Sequence, residues 1–374
     1  MVHDAAWVKG DAPWRSAGPT RLAAFRELMA LPAEELVTMG EGGTPLLQSL
    51  ELTRRFSRPV FWKNETMNPT WSHKDRFHAV AVTWARALGY RTVAASSTGN
   101  HGVSAAAYAA RAGLGAVVLY PPETPSAFVH LTGVYGGQAV VTGWAARSAL
   151  LETLIQRHGW YRLDGRNPFG IEGYRTIAWE IVGELGEPPA AVVVPVASGK
   201  LVWGVHAGFR QLLDLGWISR LPRIVACQPR SADVLSQAVA EGRASVPVHP
   251  EAYSVALSTR ERTSDSRALT AVRESGGRVV TASETDIMAA VASLGREGLA
   301  VEPASALAAA ATRILLENGE AWPGTIVGIV TSALVKSPDL LPEASTRRPW
   351  RVGTDPAELE ALVAASPWLT PQAP

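Results

Sequence analysis

Residues 92–113 read TVAASSTGNHGVSAAAYAARAG. The opening TVAAS is small and β-branched, as a short buried strand requires, and the alanine-rich run that ends at Gly113 has the composition of a helix. Between them stands a tight turn of Ser97, Thr98 and Gly99. A strand that passes through such a turn into a helix is half of a βαβ unit, with the helix N-terminus at the carboxyl end of the strand.

The alternation continues on both sides. DRFHAVAVTWARALG (75–89) reads as a helix, GAVVLY (115–120) as a strand, SAFVHLTGVYG (126–136) as helical, QAVVTG (138–143) as strand-like and AARSALLETLIQRHG (145–159) as an amphipathic helix. Further on come the helix GYRTIAWEIVGELG, the strand AAVVVPV, the helix GKLVWGVHAGFRQLLDLG and the strand RIVACQP. The helices ETDIMAAVASLGREG and ASALAAAATRILLENG and the strand GTIVGIVTS complete the pattern. Strands separated by helices imply parallel sheets with right-handed crossovers, and ligands then gather at the strand ends. With 374 residues, two α/β lobes are expected rather than one core.

Composition narrows the class. Apolar residues make up 47% and charged residues 18%, which suits a well-buried globular chain. A net charge of +1, without a basic stripe, offers no footprint for nucleic acid. The single cysteine, Cys227, excludes an internal disulfide framework and fits a reducing compartment. MVHDAAWVKGD at the start has no apolar signal core, and no run approaches a membrane span, so a cytoplasmic protein is expected. No GxGxxG follows a strand, and SGKL at 198–201 lacks the rest of an NTPase loop. The eight histidines show no metal-binding spacing, so no metal is expected.

Four segments carry chemistry. NPTWSHKDR (68–76) sets Lys74 between a proline turn and a helix; its amine is a nucleophile toward an aldehyde only when neutral, and by itself it reads as a helix-start charge. Ser97, Thr98, Gly99, Asn100 and His101 bring hydroxyls and free amides to a helix N-terminus, which suits a carboxylate as well as simple capping. VVVPVASGKLVWG (192–204) repeats the device with Ala197, Ser198, Gly199, Lys200 and Leu201, suited to a phosphate. GIVTSALVK (328–336) ends a buried strand in Thr331, whose hydroxyl can meet a heteroaromatic nitrogen without charging it.

Together these segments resemble the fold-type II pyridoxal-phosphate enzymes, and specifically their threonine synthase branch, from GEGGTPL at 40–46 to about residue 340. NPTWSHKDR is similar to the family's NPTGSFKDR, NPFGIEGYRTIAWEI to NPxxIEGQKTxAFEI, and VEPASALAAA to VEPASAASxAG. The resemblance implies two open parallel-sheet lobes with pyridoxal 5'-phosphate in the cleft between them. Residues 1–75 and 165–345 would form the larger lobe, 76–164 a smaller mobile one and 346–374 a C-terminal tail. Lys74 would hold the cofactor as a Schiff base and later move protons, and Asn100 would meet its 3-hydroxyl. Residues 197–201 would cradle its phosphate, and Thr331 would meet the pyridine nitrogen. Residues 97–101 would receive the amino acid substrate. A homodimer is also implied.

The departures concern the substrate. The family's glycine-rich GNxGN turn is here ASGKL, and its lysine-bearing substrate loop is PETPSAFVHLT (122–132), without lysine. Trp71 replaces a glycine and His73 a phenylalanine. His73 is expected to pack behind the site rather than transfer protons, and Trp71 and Trp203 to narrow the pocket. The expectation is therefore a lyase or synthase acting at Cβ or Cγ of an L-amino acid, with a pocket diverged from phosphohomoserine. True threonine synthase, a serine/threonine dehydratase and an idle binding module are the alternatives.

Overall fold

The computed structural model describes residues 21–33, 35–243, 254–256, 266–319, 322–341 and 356–366. Among these described residues, ten strands fall into two sheets. The larger has the order β1-β2-β10-β7-β8-β9, with β1 Leu46–Gln48, β2 Val60–Asn64, β7 Ala191–Pro195, β8 Arg223–Pro229, β9 Arg278–Ala282 and β10 Ile326–Val330. The smaller has the order β5-β4-β3-β6, with β3 Thr92–Ser96, β4 Gly115–Tyr120, β5 Gln138–Val141 and β6 Tyr161–Arg162. All pairings are parallel except β1 with β2, which is antiparallel. The mixed α/β class is as expected; β1, β2, β6 and β9 are strands that the periodicity reading passes over.

The helices between them are α1 Leu50–Phe56, α2 Lys74–Ala87, α3 Asn100–Arg111, α4 Ser126–Val134, α5 Ala146–His158 and α6 Ile171–Leu185. They continue as α7 Lys200–Asp214, α8 Val234–Ala240, α9 Arg267–Glu274, α10 Glu284–Arg296 and α11 Pro303–Glu317. Strands β7 and β10 are buried at every position, as central parallel strands covered on both faces must be. Gly328 in β10 faces Trp62 of β2, and a β-carbon there would stand 2.5 Å from the indole. The missing side chain is what lets the largest aromatic ring sit between the two strands.

Residues 341–374 form a separate compact unit, whose described element is the helix α12, Pro356–Ala364. Proline begins it, as its fixed φ and missing N–H allow. The N-terminal residues 1–20 and the proline-rich stretches 342–350 and 367–374 lie outside the described residues. No described helix is long and apolar enough to cross a membrane.

Candidate active site

Lys74 is the first residue of α2. The turn before it is fixed by Asp75, whose carboxylate accepts the Thr70 N–H at 2.6 Å, the Thr70 hydroxyl at 2.5 Å and the Ser104 hydroxyl at 2.5 Å. Burial nevertheless pushes the Asp75 carboxyl up to about 6, against the pull of those donors. Trp71 holds φ at 61°, the left-handed region that glycine adopts freely. The chain thus keeps a glycine-type turn at the position where the resembled motif has glycine.

Two residues after Lys74, Arg76 anchors α2 from beneath. Its guanidinium makes paired hydrogen bonds with Glu65 at 2.7 and 2.8 Å and with Glu180 at 2.5 and 2.8 Å, all fully buried. Glu180 also accepts the Gly43 N–H at 3.0 Å, and Thr44 donates to Glu65 at 2.7 Å. The GEGGTPL loop, the end of β2, α2 and α6 are therefore clamped around one cation. The Lys74 ammonium itself lies 5.9 Å from the Tyr174 ring centroid.

The loop from β3 into α3 is held by Ser97. Its hydroxyl oxygen accepts the N–H groups of Gly99 at 3.0 Å and Gly102 at 2.8 Å, and its own N–H donates to Leu119. Ser97 lines the cavity, but its polar groups are committed to building the loop. Asn100, the first residue of α3, donates from Nδ2 to Glu302 Oε2 at 2.8 Å, and its Oδ1 is buried without a protein partner. His101 donates through Nε2 to the Leu163 carbonyl at 2.7 Å. Burial, reinforced by the Lys74 charge, lowers its pKa to about 4, so the ring is neutral.

At the end of β7, Gly199 adopts φ 83° and leads into α7 without a side-chain cap. The first amides of a 15-residue helix therefore face the cavity beside Lys200. The Lys200 stem lies over Gly165, where an added β-carbon would stand 3.3 Å from its Cε.

Thr331 follows β10. Its N–H donates to Ser305 Oγ at 2.6 Å, and its hydroxyl lies 3.2 Å from the same oxygen. Its carbonyl accepts the His73 N–H at 2.9 Å and the His73 ring Nδ1–H at 3.1 Å. The ring is thereby locked in one tautomer, and burial followed by the Lys74 charge holds its pKa well below the usual histidine value. Glu302 and Ser305, at the head of α11, and Ser332, just after β10, are site residues to which the sequence analysis gives no role, although the VEPASALAAA match contains the first two.

These segments meet in one cavity of about 860 Å³, counting the space at its mouth. Lys74, Ser97, Thr98, Asn100, His101, the whole 197–201 turn and Thr331 line it, while Gly99 lines a smaller cavity beside it. Trp71 and Trp203 are not among the lining residues, so neither narrows it. Its lining holds two lysines and no carboxylate, and among the described residues no cluster of metal ligands occurs. Pyridoxal phosphate fits this donor set: the amides at the start of α7 and Lys200 for a dianion, Lys74 for an aldehyde, and the orphaned Asn100 Oδ1 for a hydrogen-bond donor.

Comparison with known proteins agrees. Residues 37–332 match the family described as "Pyridoxal-phosphate dependent enzyme". Threonine synthase of Methanosarcina acetivorans is 35% identical over 82% of this chain and 78% of its own length. Threonine synthase of Mycobacterium tuberculosis is 34% identical over 87% of this chain and 90% of its own. Among solved structures, maize serine racemase superposes with a TM-score of 0.71 at 23% identity, covering 79% of this chain and 90% of that one.

Proposed function

The chain belongs to the pyridoxal-phosphate dependent enzyme family, and we propose that it eliminates or replaces a Cβ or Cγ substituent of an L-amino acid other than phosphohomoserine. The observation that carries this reading is the convergence of Lys74, the 97–101 loop, the 197–201 turn and Thr331 on one cavity. Bound there, the cofactor supplies an electron sink for the charge left when the Cα proton departs.

The residues divide that work. Lys74 holds the cofactor and moves the proton at Cα. The amides that begin α7, with Lys200, hold the phosphate. Thr98 and the amides that begin α3 take the substrate carboxylate. The neutral Thr331 hydroxyl would meet the pyridine nitrogen without protonating it, which would weaken the sink and favour loss of a leaving group over transamination. His73, neutral and tied to Thr331, positions that strand end and moves no proton.

Phosphohomoserine is disfavoured because the 122–132 segment has no lysine and runs into α4 at Ser126, with Phe128 buried. A second reading, genuine threonine synthase, is favoured by the relatives that carry that name. The experiment is turnover with phosphohomoserine, O-phosphoserine, O-acetylserine, serine and threonine, following keto acid, phosphate and threonine. Turnover of a substrate other than phosphohomoserine is expected. Threonine formation from phosphohomoserine at the highest kcat/KM of the set would overturn the proposal in favour of the second reading.

A further inference from the structure

The smaller cavity shares Thr98 and Asn100 with the main one. Its other walls include Phe128 of α4, Val255, Leu340 and Glu302. None of the described residues lining it is a lysine, arginine or histidine. Lys336 is the buried cation whose charge is coupled to Glu302, but its ammonium donates to the Thr70 carbonyl at 2.5 Å and does not line the cavity.

Glu302 is only 4% exposed. Its Oε2 accepts from Asn100 Nδ2 at 2.8 Å and from the Ser332 hydroxyl at 2.9 Å, whereas its Oε1 is buried without a protein partner. Asn100 Oδ1 is in the same condition. The amide cannot be turned over, because a carboxylate accepts only and must face the NH2 group. With Asn100 Oδ1 left to the cofactor in the main cavity, Glu302 Oε1 remains a buried acceptor without a donor, on a residue that lines the smaller cavity. Buried acceptors are satisfied by something in nearly every folded protein, and here the candidate is a ligand.

The resembled VEPASA motif carries the same glutamate. What differs here is the segment that bears lysines in threonine synthases, which in this chain supplies an aromatic ring. Phe128 packs on Gly99, where an added β-carbon would stand 3.1 Å from the ring. The wall is apolar where a phosphate would need a cation.

We propose that this second cavity seats the side-chain substituent of the substrate and selects one that donates N–H hydrogen bonds, an amine, amide or urea-type group. A phosphate dianion brings acceptors only and would face the Glu302 charge with no cation lining the cavity. An ammonium or amide supplies the donor that Glu302 Oε1 lacks. The inference rests on the reading of the main cavity as cofactor and amino acid site.

The test uses the pyridoxal-phosphate-loaded protein, titrated with alanine, 2,3-diaminopropionate and O-phosphoserine while the visible spectrum reports binding. Diaminopropionate is expected to bind at least about tenfold more tightly than O-phosphoserine. Glu302→Gln should shrink that ratio by about tenfold, and Phe128→Lys should raise O-phosphoserine affinity even if the first variant fails to fold. Equal or tighter binding of O-phosphoserine by the unaltered protein overturns the inference. An unchanged ratio in Glu302→Gln together with unchanged O-phosphoserine affinity in Phe128→Lys also overturns it. If none of the three amino acids, alanine included, alters the spectrum, the underlying amino acid site fails as well, which separates the two outcomes.

Discussion

His73 donates both its main-chain N–H and its ring Nδ1–H to the carbonyl of Thr331, at 2.9 and 3.1 Å. The residue beside Lys74 is thus bonded twice to the residue proposed to meet the pyridine nitrogen, across 258 positions of sequence. Histidine is here a brace between two walls of the cleft.

Removing the ring should loosen those walls without changing the chemistry. His73→Ala is expected to lose about 1–3 kcal/mol of stability, from a lost hydrogen bond and a lost ring contact with Tyr174. Its kcat–pH profile should keep the shape of the parent. A profile that loses one limb would make His73 a proton-transfer group instead.

The Arg76 clamp predicts a larger loss. Glu180→Gln leaves Arg76 and Lys63 short of one negative charge in a fully buried setting, where breaking an ion pair costs about 3–5 kcal/mol. Denaturant unfolding of the two proteins measures it. A change below about 1 kcal/mol would mean that the network is not cooperative.

Gly173 occupies the crossing of α6 over α2, where a β-carbon would stand 1.8 Å from the Arg76 carbonyl oxygen. Gly173→Ala should therefore destabilise by 1–3 kcal/mol or more through overpacking, about that range being usual for forced core insertions. It should also weaken cofactor retention, because α2 carries Lys74. Thermal unfolding and cofactor titration read the two effects separately.

Stability should rise with pH between about 5 and 7. His101 falls from 6.5 to about 4 on folding, and His73 and His78 are also lowered, chiefly by burial. Their contribution is complete above 6.5 and is lost as pH falls toward the folded values; for His101 it reaches roughly 3 kcal/mol at most. Asp75, raised from 3.8 to about 6, opposes this: its contribution is present below 3.8 and lost by about 6. Three histidines outweigh one aspartate. His101→Gln keeps a donor for the Leu163 carbonyl and should flatten the dependence, which chemical unfolding at several pH values will show.

Much of this fold is legible in the chain because its central strands are uniformly apolar and its functional turns are written in Ser, Thr, Gly, Asn and Lys. Strand β2 is not, since it contains Lys63, which reads as a surface residue. In the structure Lys63 is fully buried, with its ammonium between Glu180 at 2.9 Å and Glu184 at 2.5 Å. The partners that make this possible lie more than a hundred residues away. Edge strand β9 is only five residues long, with two of them buried, and gives little signal. Ser305 and Glu302 fall within the VEPASALAAA match, but their roles arise from α11 lying against β10, which the motif does not spell out. The phosphate turn and the lysine turn, by contrast, carry their chemistry in adjacent residues.

Borohydride reduction of the cofactor-loaded protein, followed by peptide mass mapping, bears most directly on the assignment of Lys74. The pyridoxyl group is expected on the peptide containing Lys74, with the visible band absent from Lys74→Ala. A pyridoxyl group on Lys200 or Lys336, or a variant Lys74→Ala that keeps the parent's band, would contradict the assignment.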